Sequence, residues 1–330
     1  MKKEHEDQIL AAARAVEERV EKGAVSNIYF VACGGSQASM MPAQYLFDRE
    51  LMIPSAIYTS NEFNYGTPKA FGKDSIVFTI SHSGNTPETV AAARRATDAG
   101  ALSICFSNEV DSPLWKAAGY QIHYDHGSEA DEADKGGCVE LRAWFEFLKV
   151  LDAGKAATWQ AASKSVDEIP ALKEKAVAQY KDACTTYASD TKREKLIYTM
   201  GSGANYGEMY SLAVCWLMEM QWVNSSCIHS GEYFHGPFEI TDFDVPFIIS
   251  VGNGATRHLD ERALAFARKF SDKLFVIDEN DFDFGGVPAE VQEYFAPEIL
   301  GAVIRVFVEA HAHDTGHSLS VRRYMWQMEY

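Results

Sequence analysis

Short runs of β-branched and aromatic residues recur along this chain. Each closes on glycine, serine or asparagine and leads into a stretch of helical periodicity. Runs at 28–33, 76–80 and 101–106, and again near 196–200, 245–251 and 273–277, read as strands. Residues 6–22 read as a charged amphipathic helix, and Thr86–Asp98 and Val139–Leu151 as further helices. A mostly helical connector follows over 157–191, and a last helix lies near Pro297–His311. Strand and helix alternating at this pace predict an α/β fold with a parallel sheet covered on both faces.

Two segments share one shape. Ile28-Tyr-Phe-Val-Ala-Cys-Gly-Gly-Ser36 and Ile197-Tyr-Thr-Met-Gly-Ser-Gly-Ala-Asn205 are both apolar runs that end in a small turn and open a helix. The offset recurs where Ile80-Ser81-His-Ser83-Gly-Asn-Thr86 aligns with Ile249-Ser250-Val-Gly252-Asn-Gly-Ala255. A strand–turn–helix frame repeated in register predicts a duplicated module. The expected architecture is two tandem αβα domains, residues 1–160 and 161–330, each with a mainly parallel sheet of about five strands. Ser83 and Thr86 of the first copy become Gly252 and Ala255 in the second. The hydroxyls suited to an anion lie in one half only.

Composition narrows the partners. With 47% hydrophobic residues in 330, each half can build its own core. A formal charge of −17 argues against nucleic acid or an anionic membrane surface, so an anionic ligand needs local donors. The start, Met-Lys-Lys-Glu-His-Glu-Asp, lacks a signal-peptide core, and no run reaches membrane-spanning length. The six cysteines have no C-x-x-C spacing, and several lie in apolar runs. A reduced, cytoplasmic protein is expected.

The candidate chemistry falls in two places. Ser81, Ser83 and Thr86 stand between a strand and a helix that begins near Pro87, with Thr86 a plausible cap. Hydroxyls around a helix start make a phosphate cradle, to which Ser36 of the neighbouring turn can add. The plainer alternative is an ordinary serine-rich turn. Neither a Walker A loop nor G-x-G-x-x-G is present, which disfavours nucleotides. Glu219 lies in an almost wholly apolar helix, where lost solvation should raise its pKa toward neutrality. A core glutamate with a buried partner is the competing reading. His235 is presented just before Gly236-Pro237, a stiff turn suited to acid–base work, with His229 and Glu232 as rivals. Lys135, at the end of the acidic loop Asp125–Asp134, can reach an anion. That loop and His311, His313 and His317 read as solvated rather than metal-binding, so no metal is expected.

Together these motifs resemble the two-domain sugar isomerase (SIS) family. Leu217-Met-Glu-Met-Gln-Trp222, Ser230-Gly-Glu-Tyr-Phe-His-Gly-Pro-Phe-Glu-Ile240 and Arg322-Arg-Tyr-Met-Trp326 resemble its fructosamine 6-phosphate deglycases. The resemblance implies Glu219 and His235 as the catalytic pair, with Ser36, Ser81, Ser83 and Thr86 at the phosphate; Lys135 and Glu232 are expected as further substrate-binding residues. It also implies a phosphorylated sugar-amine substrate, no cofactor, and a homodimer in which the histidine loop of one subunit completes the other's site. Unlike glucosamine-6-phosphate synthase, the chain has no glutaminase segment. It also has no lysine after Lys273 to form a ring-opening imine. A ketose–aldose isomerase and a non-catalytic sugar-phosphate sensor are the alternatives.

Overall fold

The computed structural model describes residues 1–329, which divide into two compact units. One comprises Met1–Pro170 with Gly286–Val291, and the other Ala171–Gly285 with the described residues from Gln292 onward.

In the first unit, strands β1 (Asn27–Ala32), β2 (Ser55–Thr59), β3 (Ser75–Ile80), β4 (Leu102–Ser107) and β5 (Tyr120–His123) form one sheet. Its order is β2-β1-β3-β4-β5 and every pairing is parallel. Every residue of β1, β3 and β4 is buried, as expected of strands sandwiched between helices. Helices α1 (Lys3–Glu21), α2 (Gly34–Glu50), α3 (Ser60–Tyr65), α4 (Pro87–Asp98), α5 (Pro113–Ala117), α6 (Gly136–Leu151) and α7 (Ala156–Ser165) surround it. Phe30 and Phe78 of the sheet meet Phe47 of α2 and Trp144 of α6, with ring centroids 5.0–6.0 Å apart. Alternate residues Tyr29, Val31 and Val77 pack instead with Phe63 of α3 and Ala92 and Ala96 of α4. The period-two geometry of the strands thus fills two separate aromatic and aliphatic layers.

The second unit has four strands where about five were expected: β6 (Tyr198–Gly201), β7 (Cys227–His229), β8 (Phe247–Val251) and β9 (Leu274–Asp278). They are all parallel, in the order β7-β6-β8-β9. Helix α10 (Arg257–Phe270) seats Ala263, Leu264 and Ala267 against Met200, Phe247, Ile249 and Val251. Tyr187 of α8 (Ile169–Thr191) stacks on Phe275 at 5.3 Å and meets Phe307 of α11 (Gln292–Thr315) at 5.8 Å. Short α9 (Tyr206–Ser211) runs on as a π-helix over Leu212–Met220. His311 is a core residue of α11, not part of a solvated tail, and its Nδ1 lies 3.0 Å from Gln221 Oε1. No helix among the described residues is long and apolar enough to cross a membrane. All six cysteines are free.

Candidate active site

In the first unit, β1 and β3 are parallel neighbours, so the turns that carry Ser36 and Ser81–Thr86 leave the same edge of the sheet. Gly84 has φ +63°, and a Cβ there would lie 2.0 Å from Ser112 Oγ. Only glycine lets this loop close onto the start of α5, where its carbonyl accepts from the Leu114 amide at 3.0 Å. Pro87 fills the first helical position and Thr86 the N-cap position. The Thr86 hydroxyl does not cap. It lies 2.9 Å from Ser81 Oγ instead. The first-turn amides of α4 therefore have no side-chain cap and are available to an external acceptor.

Ser83 is exposed, and its Oγ accepts from the Asn85 amide at 3.3 Å. Ser36 is half-buried in the first turn of α2, a helix whose N-terminus also lacks a side-chain cap. Lys135 opens α6 and is ion-paired with Glu132 at 2.9 Å. No hydrogen bond or ion pair joins Lys135 to the Ser81–Thr86 loop among the described residues. The acidic loop is less solvated than its composition suggested, since Asp134 is 5% exposed.

The matching loop of the second unit is already filled by the chain's own carboxylates. The Gly252 amide donates to Asp260 Oδ2 at 3.1 Å, the Asn253 amide to Glu279 Oε2 at 3.1 Å, and the Ala255 amide to Glu293 Oε2 at 3.2 Å. Asp260 also accepts from Ser202 Oγ at 2.8 Å. Arg257 closes the loop, bonding both Asp278 oxygens at 2.7 and 2.8 Å and the Gly252 carbonyl at 2.9 Å. Burial pushes the Glu279 carboxyl well above its ordinary value, opposed by the Asn253 amide.

Glu219 departs from expectation. It is only partly buried, and its Oε1 accepts from Arg322 Nε at 2.9 Å, with Arg322 Nη2 at the same distance. Oε2 makes no hydrogen bond among the described residues. The apolar neighbours at helical spacing do not enclose the carboxylate, because this segment follows i→i+5 rather than i→i+4 hydrogen bonding. Trp222, at φ +57°, ends it. The C-terminal segment then folds back across the helix. Together they form a cavity of about 530 Å³, lined by Met218, Glu219, Trp222, Arg322, Tyr324 and Met328 among others. Arg322, 103 residues from Glu219, was visible in the sequence only as part of a basic, aromatic tail.

His235 and Glu232 are exposed in the turn after β7, where the His235 amide donates to the Glu232 carbonyl at 2.9 Å. Neighbouring Tyr233 is fully buried and anchors the turn, its hydroxyl 2.5 Å from Thr241 Oγ1. Among the described residues no hydrogen bond or ion pair joins Glu219 to His235, and neither His235 nor Glu232 lines the Glu219 cavity. His229 accepts from the Gly231 amide at 3.1 Å through Nδ1.

The SIS domain family profile matches residues 24–144, the span that holds the Ser81–Thr86 loop. Over 307 residues the chain is 45% identical to Fructosamine deglycase FrlB of Bacillus subtilis (strain 168), covering 93% of each. The chain belongs to the SIS domain family. It is also 28% identical to Fructoselysine 6-phosphate deglycase of Escherichia coli (strain K12), over 82% of this chain and 78% of that one. A crystal structure from Bacillus subtilis described as a phosphosugar isomerase superposes with a TM-score of 0.90 at 43% identity, covering 97% of this chain and 99% of the other. The relatives named for this SIS protein are thus a fructosamine deglycase and a fructoselysine 6-phosphate deglycase, and the first matches both of its units.

Proposed function

We propose that this protein is a deglycase that converts a fructosamine 6-phosphate and water to glucose 6-phosphate and a free amine. The observation that carries this reading is the 45% identity, along nearly the whole chain, to a fructosamine deglycase. The geometry of each unit agrees with it. The uncapped start of α4, ringed by Ser81, Ser83 and Thr86 with Ser36 on the adjacent turn, suits the 6-phosphate. Lys135 and Glu232 are assigned to the substrate's remaining polar groups.

In the open-chain substrate the carbonyl is at C2 and the amine at C1. His235, exposed on an anchored turn, assists ring opening by proton transfer. Glu219 removes a proton from C1 to give an enaminol, then returns a proton to C2. The product is a Schiff base at C1, which water hydrolyses to the aldose phosphate and the amine. Arg322 fixes one Glu219 oxygen and leaves the other without a protein hydrogen bond, which suits a carboxylate that takes and returns a proton. The substrate's own carbonyl and amine delocalise the developing charge, so these steps call on no cofactor.

A homodimer in a reduced, cytoplasmic setting completes the proposal. Trp222, Tyr324, Trp326 and Met328 are 40%, 62%, 75% and 60% exposed in the single chain, an aromatic and methionine surface suited to burial against a second copy. The deciding assay follows amine and glucose 6-phosphate release from a panel of phosphofructosamines. Amine release with stoichiometric glucose 6-phosphate is expected. Interconversion of fructose 6-phosphate and glucose 6-phosphate without amine release would replace the deglycase with an isomerase.

A further inference from the structure

Helix α1 meets the last strand of the first sheet through two histidines. His5 is completely buried, and its Nε2 lies 3.2 Å from Nδ1 of His123, the final residue of β5. Asp125 Oδ1 stands 3.8 Å from the first of these nitrogens and 4.0 Å from the second. The three ligand atoms face one another within 4.8 Å.

The outer hydrogen bonds fix what the inner atoms can be. His123 Nε2 is 2.9 Å from the Asn108 carbonyl, which can only accept, so the proton of neutral His123 is on Nε2. His123 Nδ1 is therefore a bare lone pair aimed at His5. His5 Nδ1 lies 3.4 Å from Asp134 Oδ1 and is buried without a hydrogen bond. A proton on His5 Nε2 satisfies His123 but sets the His5 Nδ1 lone pair against the Asp134 carboxylate. A proton on His5 Nδ1 faces Asp134 but leaves two lone pairs opposed at 3.2 Å. Neither neutral tautomer satisfies every group.

We propose that His5 Nε2, His123 Nδ1 and Asp125 Oδ1 bind one divalent transition-metal ion of the zinc or cobalt class. Bonds of about 2.0–2.1 Å in a tetrahedral site put ligand atoms about 3.3 Å apart, close to the histidine nitrogen separation. A small closing movement brings in the carboxylate, and water takes the fourth position. The Asn108 carbonyl orients His123 and the Lys2 ammonium holds Asp125 Oδ2, and with the metal on Nε2 a proton on His5 Nδ1 would face Asp134 Oδ1, 3.4 Å away. Two imidazoles and one carboxylate select zinc or cobalt over magnesium or calcium, which favour all-oxygen shells. The ion clamps α1 to the sheet. It takes no part in the acid–base steps assigned to Glu219 and His235, and the inference does not depend on that assignment.

The test uses full-length protein stripped with a chelator, desalted and titrated with Zn²⁺, Co²⁺ and Mg²⁺. Expected are one Zn²⁺ retained per chain after gel filtration, the intense visible absorption of tetrahedral Co²⁺, a higher Tm with Zn²⁺, and no response to Mg²⁺. His123→Ala and Asp125→Asn should abolish Zn²⁺ retention, and Asp134→Asn should weaken binding roughly 10–100-fold. The partly exposed Asp125 guards against a variant that simply fails to fold, and circular dichroism checks each one. Zn²⁺ retained well below one per chain in the wild type, or retained in full by folded Asp125→Asn and His123→Ala, overturns the site.

Discussion

The loops after β3 and β8 descend from one frame but meet opposite needs. In the first unit the loop keeps its hydroxyls and leaves the start of α4 uncapped, the arrangement proposed above to take a phosphate from outside. In the second unit Asp260, Glu279 and Glu293 bind the loop amides from within. An internal carboxylate satisfies the donors a phosphate would otherwise take. On the proposed reading of the first loop as a phosphate site, the second copy lost that capacity by filling its amides with the chain's own carboxyl groups as well as by losing the hydroxyls. The chemistry proposed for the second unit lies elsewhere, at Glu219 and His235.

The sharpest break of this contrast removes the chemistry and keeps the cradle. Glu219→Gln and His235→Ala should each lower kcat roughly 10²–10⁴-fold with KM for the phosphosugar little changed. Near-normal turnover in either would return the acid–base role to a rival such as Glu232 or His229. Next, Ser83→Ala with Thr86→Ala should raise KM by roughly 10²–10⁴-fold, since hydrogen bonds to a charged group contribute about 1.5–3 kcal/mol each. Restoring hydroxyls to the other copy, with Gly252→Ser and Ala255→Thr, should create no phosphate binding by calorimetry, because its amides are occupied. A new site there would mean that the carboxylates are not what retired it.

A smaller contrast concerns backbone. Gly84→Ala, at positive φ and against Ser112, should destabilise the fold by about 1–3 kcal/mol in urea titrations. Gly252→Ala meets Asn205 Nδ2 at 3.2 Å and Asp260 Oδ2 at 3.4 Å with no positive φ, and should cost under about 1 kcal/mol. Equal losses would show that the two loops share one constraint.

The smallest effect is a slope. Glu279 holds its proton above the ordinary carboxylate value of 4.5, so above that pH the folded chain binds more protons than the unfolded one. Its contribution to stability is complete below the unfolded value and is lost as pH rises through the folded value. Glu279→Gln should flatten the fall in Tm between acid and neutral pH, and an unchanged slope would mean that Glu279 is ionised in the fold.

The alternating layers, the parallel sheets and the duplicated frame were all legible in the sequence, because they depend on local periodicity. Strands β1, β3, β4, β6 and β8, together with the edge strand β9, fall within about two residues of their apolar runs. The other three edge strands, β2, β5 and β7, were missed. Strands such as β2 are half-exposed, and their short mixed sequences lack the apolar signature of a covered strand. The hydroxyls of Ser81, Ser83 and Thr86 could likewise be read from one loop, since they lie within a few residues, whereas Ser36 comes from the turn after β1.

What required the tertiary structure were contacts between residues far apart in the chain. Glu219 was read as sealed in an apolar helix because its neighbours were counted at α-helical spacing. A π-helical segment and the returning tail gave it an arginine instead. Thr86 stood where a cap belongs, but which partner its hydroxyl chose depended on where Ser81 lay after folding. The carboxylates that fill the second loop, and the histidine pair under α1, come from separate elements. Sequence determined where each element forms and which residue types it carries. Only folding decided which charges meet, because electrostatic and hydrogen-bond partners are set by distance in space, and along the chain that distance leaves no mark.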